Sequence, residues 1–320
     1  MATVGRTVAA TVGGVAAAGA AAFAWGSLVE RNLFGVRREV LPVLPPGARA
    51  IRVLHLSDLH LAPWQRRKID WIRSLAELEP DLVVDTGDNM GHPEANIAVE
   101  HALAPFAGIP GVFAHGSNDY FGPTVKNPLR YFNGPSKAPR LTPDLDIDRL
   151  NDYFENMLGW TSLNNAAMTT TINGSRLEFF GTNDAHRGWD DLATLPRVVD
   201  DMREHVADSD DPTAPALTIG VTHAPYQRVL NAFVTNGADV ILAGHTHGGQ
   251  VRIPGLPALV ANCDIPREQA SGLSLWKHAR STAYLEVSAG LGTSIYAPVR
   301  FACRPEAVLV TLAPVDISYP

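Results

Sequence analysis

The chain has 320 residues, room for one large domain or two small ones. An apolar fraction of 46% and a charged fraction of 18% fit a globular protein with a sizeable core. Lys and Arg number 26 against 33 Asp and Glu, a formal charge of −7, which argues against a dedicated nucleic-acid binder with a basic face. An anionic substrate stays open, because bound cations can dominate the field of a site. The two cysteines, Cys263 and Cys303, lack zinc-finger spacing. Two free thiols are favoured over a disulfide between them.

Residues 1–27 form the first unit. Thr7 to about Trp25 carries no charge and is rich in Ala, Val and Gly, with Arg6 just before it. The length is at the short end for a membrane span. A basic start, an apolar middle and Ala20-Ala21-Ala22 also match a secretory signal that would be cleaved. An uncleaved membrane anchor is favoured over secretion. Arg6 and the amino terminus on one side offset Arg31, Arg37 and Arg38 on the other, so charge does not fix the orientation. Residues 28–49 contain Leu41-Pro-Val-Leu-Pro-Pro-Gly47, whose prolines resist regular structure. They read as a linker to a domain over 50–314.

The domain alternates short apolar runs with amphipathic stretches. Ile51–Leu56 reads as a strand, and Arg66–Leu78 as a helix stopped by Pro80. Strands over Leu82–Val84 and Val112–Ala114 flank a weaker helix at Ala95–Leu103. Further helices are expected at Asp148–Met157, Asp191–His205 and Tyr226–Asn236. Strands are expected at Met168–Ile172, Arg176–Gly181, Leu217–Val221, Val240–Ala243, Val251–Ile253, Thr282–Ser288 and Ala307–Leu312. Asn173-Gly174 is a strong hairpin signal between two of them. The pattern suggests mixed sheets covered by helices. Residues 122–146 hold five prolines and the basic residues Lys126, Arg130, Lys137 and Arg140. They read as a tolerated surface insertion or as a lid over an anionic substrate; their place directly after Asn118-Asp119 favours the lid more than composition alone does.

Five apolar runs end in polar ligand types. They run into Asp58-Leu-His60, Asp85-Thr-Gly-Asp88-Asn89, His115-Gly-Ser-Asn118-Asp119, His223-Ala-Pro and Gly244-His245-Thr-His247-Gly-Gly-Gln250. Singly, each is an ordinary strand end or turn. Together they describe one convergent metal site and a hydrolase. Imidazole, carboxylate and amide ligands suit Mn, Fe or Zn better than Ca or Cu.

These residues resemble the calcineurin-like metallophosphoesterase superfamily. Ser288-Ala-Gly-Leu-Gly-Thr-Ser294, Pro298-Val-Arg-Phe301, Cys303-Arg-Pro-Glu306 and Phe180 to Gly188 resemble its bacterial YkuE-like, membrane-associated phosphodiesterase branch. The resemblance spans about Ile51 to Leu312. It implies a four-layered α/β/β/α sandwich of two mixed β-sheets flanked by helices, here behind an N-terminal apolar helix. It also implies two divalent metal ions. Asp58, His60 and His247 would hold the first, Asp88 would bridge, and Asn118, His223 and His245 would complete the second. A hydroxide carried on the dinuclear centre would attack phosphorus.

One motif departs from the family. Its Gly-Asn-His-Asp/Glu is Gly116-Ser117-Asn118-Asp119 here. Without a gap Ser117 takes the place of the metal Asn. With a one-residue shift Asn118 keeps the metal and Asp119 replaces the catalytic His. An amide oxygen is the better ligand, which favours Asn118. The family's general-acid His is absent either way; Asp88, Asp119 and His115 are carried as catalytic candidates, and His115 or His92 could substitute for the missing His, each equally plausible as an ordinary polar residue at a strand end. Asn89, Gln250 and Arg252 are carried as substrate contacts; Arg252 is equally a surface ion pair. His55 reads as a core histidine, and His186 and Arg187 as structural or supporting residues.

The expected activity is cleavage of a phosphodiester or pyrophosphate bond in a phosphate-containing small molecule or lipid, with no nucleic acid as partner. Relatives that cleave UDP-2,3-diacylglucosamine make lipid-linked or nucleotide-sugar-type substrates one class to consider. The alternative is a catalytically weak, metal-binding scaffold.

Overall fold

The computed structural model describes residues 2–124, 142–207 and 216–315. Helix α1 (Ala2–Ala24) continues as a π-helical turn at Trp25–Val29 and a 3₁₀ turn at Glu30–Asn32. The stretch Ala10–Asn32 is long and apolar enough to cross a membrane, with a mean hydropathy of 1.6.

Among the described residues, twelve strands form two six-stranded sheets. In the first, β2 (Ile51–Leu56), β3 (Leu82–Asp85), β4 (Gly111–Phe113) and β5 (Thr161–Ser162) run parallel. Strand β12 (Glu306–Pro314) pairs antiparallel with β2, and β1 (Gly35–Leu44) pairs parallel with β12. In the second, β7 (Ser175–Gly181), β8 (Ala216–Thr222), β9 (Val240–Ala243) and β11 (Ser281–Val287) are parallel. Antiparallel β6 (Ala167–Ile172) and β10 (Gly272–His278) form its edges. The β6–β7 turn puts Asn173 at φ 52° and Gly174 at φ 82°, the left-handed pair a two-residue hairpin needs.

Alternation along the strands sorts side chains into layers. In β2, Ile51 and Val53 face the second sheet while Leu54 and Leu56 face helices. In β9, Val240 and Leu242 face the first sheet while Ile241 and Ala243 face helices. Helices α2 (Arg66–Ser74), α3 (Ala95–Leu103) and α4 (Ile147–Asp152) cover the first sheet. Helices α5 (Leu195–Ala207) and α6 (Gln227–Thr235) cover the second. The result is an α/β/β/α sandwich, with apolar runs on central strands because both faces are buried.

Two expectations are corrected. The stretch read as a linker over 28–49 contains β1, which pairs with β12. Pro42 is tolerated because β1 is an edge strand and the register shifts between Pro42 and Leu44. Leu41 and Leu44 enter the core between the sheets. The strand read over Val251–Ile253 is only a single bridge from Val251 to Phe301. Its alternation is too short to form a ladder beside so many glycines and prolines.

Strand β1 also ties the sheets electrostatically. Arg37 donates to the Glu286 carboxylate of β11 (2.9 Å) and to Glu306 of β12 (3.0 Å). Burial pushes the Glu286 carboxyl up to about 7, against the pull of the guanidinium. Cys263 and Cys303 are both free thiols. The basic residues of the 122–146 insertion, Lys126, Arg130, Lys137 and Arg140, lie outside the described residues. Its base is closed, because Asp144 and Leu145 both donate to the Tyr120 carbonyl.

Candidate metal centre

The loops after β2, β3, β4, β8 and β9 meet at the carboxyl ends of parallel strands, where open α/β sheets place their ligands. The β2 loop runs alongside the β3 loop. Asp58 N donates to Gly87 O, His60 N to Asp88 O and Leu61 N to Asn89 O, at 2.9, 2.9 and 2.8 Å. Asp58, His60, Asp88, His245 and His247 all have positive φ, between 39° and 68°. Such a conformation is strained for a side chain other than glycine, at about 1–3 kcal/mol each. A local hydrogen-bonded frame holds all five in place.

Two glycines are fixed by close approach. A Cβ on Gly116 would lie 2.2 Å from Asp88 Oδ1 and 2.7 Å from His223 Nε2. A Cβ on Gly244 would lie 1.8 Å from Ser57 Oγ. Side chains there would push into the ligand cluster itself.

The geometry gathers two overlapping triads, Asp58-His60-His247 and Asp58-Asp88-His223. Asp58 Oδ1 stands 3.4 Å from His247 Nε2 and 4.0 Å from His60 Nε2. Asp88 reaches both sides, with Oδ2 3.6 Å from His60 Nε2 and Oδ1 3.5 Å from His223 Nε2. His245 Nδ1 lies 3.2 Å from His223 Nε2.

These residues fit a pair of divalent cations. Asp58 Oδ1 is buried and accepts no hydrogen bond. The Nε2 atoms of His60 and His247 face each other at 3.3 Å. Burial, reinforced for each by neighbouring cationic groups, holds both imidazoles below their usual range, so both offer lone pairs. The outer nitrogens are spoken for. His247 Nδ1 meets Gly292 O at 3.2 Å, His223 Nδ1 meets Thr86 O at 2.7 Å, and His245 Nε2 meets Asn262 O at 3.2 Å. Such backbone partners fix the tautomer that leaves the inner nitrogen free to bind metal.

The remaining expected residues divide. Asn118 lies against Asp88, its amide 2.6 Å from Oδ2 and its backbone N–H 2.8 Å from Oδ1. Asp119 is turned inward. Its carboxylate accepts from the backbone of Asp88, Asn89 and Gly116 at 2.9, 2.7 and 3.0 Å. His115 is buried, 3.4 Å from Asp119 and 2.6 Å from Asn151 Oδ1. Both expected catalytic candidates are thus engaged with the protein. Asn89 is buried and donates to Asp85. Gln250 donates to Ala297 O (2.9 Å), and Arg252 to Gly248 O and Ser271 Oγ. These three expected substrate contacts are engaged with the protein. His55 is the core histidine expected, 3.0 Å from Thr86 Oγ1.

Several residues carry the site that spacing did not single out. Ser57 Oγ donates to Asp58 Oδ2 at 2.6 Å, and His245 N donates to the same oxygen at 2.9 Å. Arg300 is 0% exposed. Its Nη2 donates to the carbonyls of Ala289 (2.7 Å), Gly290 (3.0 Å) and Gly292 (2.7 Å). That glycine loop closes on the β2 loop through Leu291 N to Ser57 O (3.1 Å) and Gly292 N to Asp58 O (2.6 Å). His186 brings its ring within 4.6 Å of the His245 ring, and its Nδ1 is 3.1 Å from the Tyr226 hydroxyl. The Pro-Val-Arg-Phe motif contained Arg300, but no spacing marks an arginine as buried.

Residues 51–249 match the model of the family described as Calcineurin-like phosphoesterase. The chain belongs to this phosphoesterase family. Among its relatives, "Uncharacterized protein YpbG" of Bacillus subtilis (strain 168) is 26% identical over 270 residues, 83% of this chain and 82% of that one. "Uncharacterized metallophosphoesterase YkuE" of the same organism is 23% identical over 283 residues, 84% of this chain and 82% of that one. "Transmembrane protein with metallophosphoesterase domain" of Bos taurus is 27% identical over 216 residues, 65% of this chain but only 43% of that longer protein. As a calcineurin-like phosphoesterase the chain is a hydrolase acting on phosphoesters.

Proposed function

We propose that this phosphoesterase uses two divalent cations to cleave a phosphodiester or pyrophosphate bond at a membrane surface. The observation that carries the reading is Asp88, whose two oxygens face His60 on one side and His223 on the other. A carboxylate so placed could bridge two cations, as two-metal hydrolases require. Asp58, His60 and His247 would hold one cation, and His223, His245 and Asn118 the other. Mn, Fe or Zn suits this donor set. The cations supply the activated nucleophile and neutralise charge on the phosphate oxygens. The chain's own residues hold the ligands in register and close the site behind them.

The inward turn of Asp119 and His115 bears on substrate choice. General-acid help contributes about 10²–10⁴-fold. Without the family's histidine, diesters and diphosphates with stable leaving groups are favoured over simple monoesters. We place the remaining help with His186, the histidine whose ring lies tilted against that of His245 from outside the ligand set. The apolar helix is read as an uncleaved anchor. An anchored enzyme meets lipid headgroups at high local concentration, which favours lipid-linked or nucleotide-sugar-type substrates.

The test uses the full chain in neutral detergent, loaded with Mn. Hydrolysis of bis-p-nitrophenyl phosphate should exceed that of p-nitrophenyl phosphate and stop with chelator. Asp88→Asn should abolish it. Two bound metals with no turnover of either compound would instead support the weak-scaffold reading, which the missing histidine favours.

A further inference from the structure

A cleft of about 290 Å³ lies where the apolar helix joins the folded domain. Its walls come from residues 31–34, from 64–68 at the start of α2, and from 291–293 of the glycine loop. Arg31, Arg66, Arg67 and Lys68 line it, and no acidic residue does. In a chain of net charge −7 this is a local reversal of sign. Lys68 is already engaged, donating to Leu59 O (2.6 Å) and His60 O (3.1 Å). The three arginines form no ion pair among the described residues. Arg31 Nε is moreover buried with no hydrogen-bond partner.

The position of the cleft says which anion could reach it. Arg31 stands at the end of the apolar stretch Ala10–Asn32. Trp25 and Leu28 on its last turns are exposed, and Trp64, 59% exposed, stands in the cleft wall. Tryptophan beside a basic residue at the end of an apolar helix is the pattern of a membrane–water interface. The guanidinium fork matches phosphate oxygens two at a time. Gly292 in the cleft wall is the residue whose carbonyl fixes His247 (3.2 Å).

We propose that this cleft binds the phosphate-bearing headgroup of an anionic membrane lipid, beside the metal centre and behind the same glycine loop. The inference rests on the anchoring part of the function proposed above and not on the reaction. Arg66 and Arg67 are exposed, so they can be changed without disturbing the core.

The experiment measures binding of a fluorophore-labelled phosphatidylglycerol to the full chain in neutral detergent micelles. The variant Arg66→Glu/Arg67→Glu should weaken binding by about tenfold or more, the scale of one charge-assisted hydrogen bond. Arg66→Lys/Arg67→Lys should keep most of it. Asp88→Asn, which disables the metal centre, should bind like the unaltered chain, so a failed catalytic reading leaves this result intact. Equal binding by the charge-reversed variant would overturn the proposal. So would loss of binding in Asp88→Asn, which would put the lipid on the metals, or displacement of the lipid by inorganic phosphate alone, which would mark a free-phosphate site.

Discussion

Replacing Arg300 with Met tests how the metal centre is supported from behind. Met fills much of the same volume but donates to nothing. Three buried carbonyls, those of Ala289, Gly290 and Gly292, would lose their shared donor. A buried polar group left unsatisfied costs about 1–3 kcal/mol. Gly290 O keeps Glu306 N (3.0 Å) and Gly292 O keeps His247 Nδ1 (3.2 Å), so Ala289 O bears the main loss, about 1–3 kcal/mol before relaxation. The change also removes a buried guanidinium whose charged form burial disfavours, which offsets part of the loss. A net destabilisation of about 1–3 kcal/mol is expected. For a domain of this size each kcal/mol lowers the melting temperature by roughly 2–4 °C. The glycine loop would also loosen over Asp58, weakening metal binding by about 10–100-fold, as loss of an outer support typically does. Differential scanning calorimetry and a chelator competition measure the two effects. Arg300→Lys should fall between the unaltered chain and Arg300→Met. A melting temperature within about 2 °C of the unaltered chain's, with both metals held as tightly, would refute the argument.

Other outcomes follow from the same geometry. Asn118→Ala should weaken one of the two metals by at least about tenfold in chelator competition, by the loss of a ligand. Ser117→Ala should leave both metals in place; the reverse pattern would restore the ungapped register. His186→Ala should barely change turnover of a nitrophenyl diester, yet cut turnover of an alkyl diester by about 10²-fold; equal losses on both would make His186 merely structural. His115→Gln reports the buried pair with Asp119. Burial opposes the charged imidazole, but hydrogen bonding and charge from Asp119 override it and raise His115 above 6.5, while Asp119 is lowered despite its own burial by the same pair. The His115 contribution is present below the unfolded value of about 6.5 and is lost as pH rises through the higher folded value. The Asp119 contribution is present above about 3.9 and is lost as pH falls through its lowered value. Denaturant unfolding should therefore show the penalty of His115→Gln to be larger at pH 5.5 than at pH 9.

The clustering of the candidate ligands was legible because its chemistry is local. Each ligand sits at the end of an apolar run, and parallel strands bring such ends to one edge. The layers were legible for the same reason, since both sheets bury both faces. What stayed hidden depends on partners far away in the chain. Strand β1 looked like a proline-rich tether, because pairing with β12 some 270 residues later cannot be seen in its own composition. Asp119 looked like a substitute acid, because only the fold shows three backbone donors converging on it. Arg252 looked free to meet phosphate, because its partner Ser271 lies outside the motif.

The join between the apolar helix and the domain has a mechanical consequence. Gly26 O accepts from Arg300 N (3.2 Å), the buried Glu30 carboxylate accepts from Cys303 N (2.8 Å), and Gly35 N donates to Pro305 O (3.0 Å). Only Leu33 and Phe34 separate the last helical turn from β1. A flexible stalk would let a tethered enzyme sweep a hemisphere above its bilayer. This join has no slack, so if the helix is embedded as we propose, the domain would sit as a fixed-height gauge, meeting bonds at one depth of the interface and passing over those a few ångströms higher or lower.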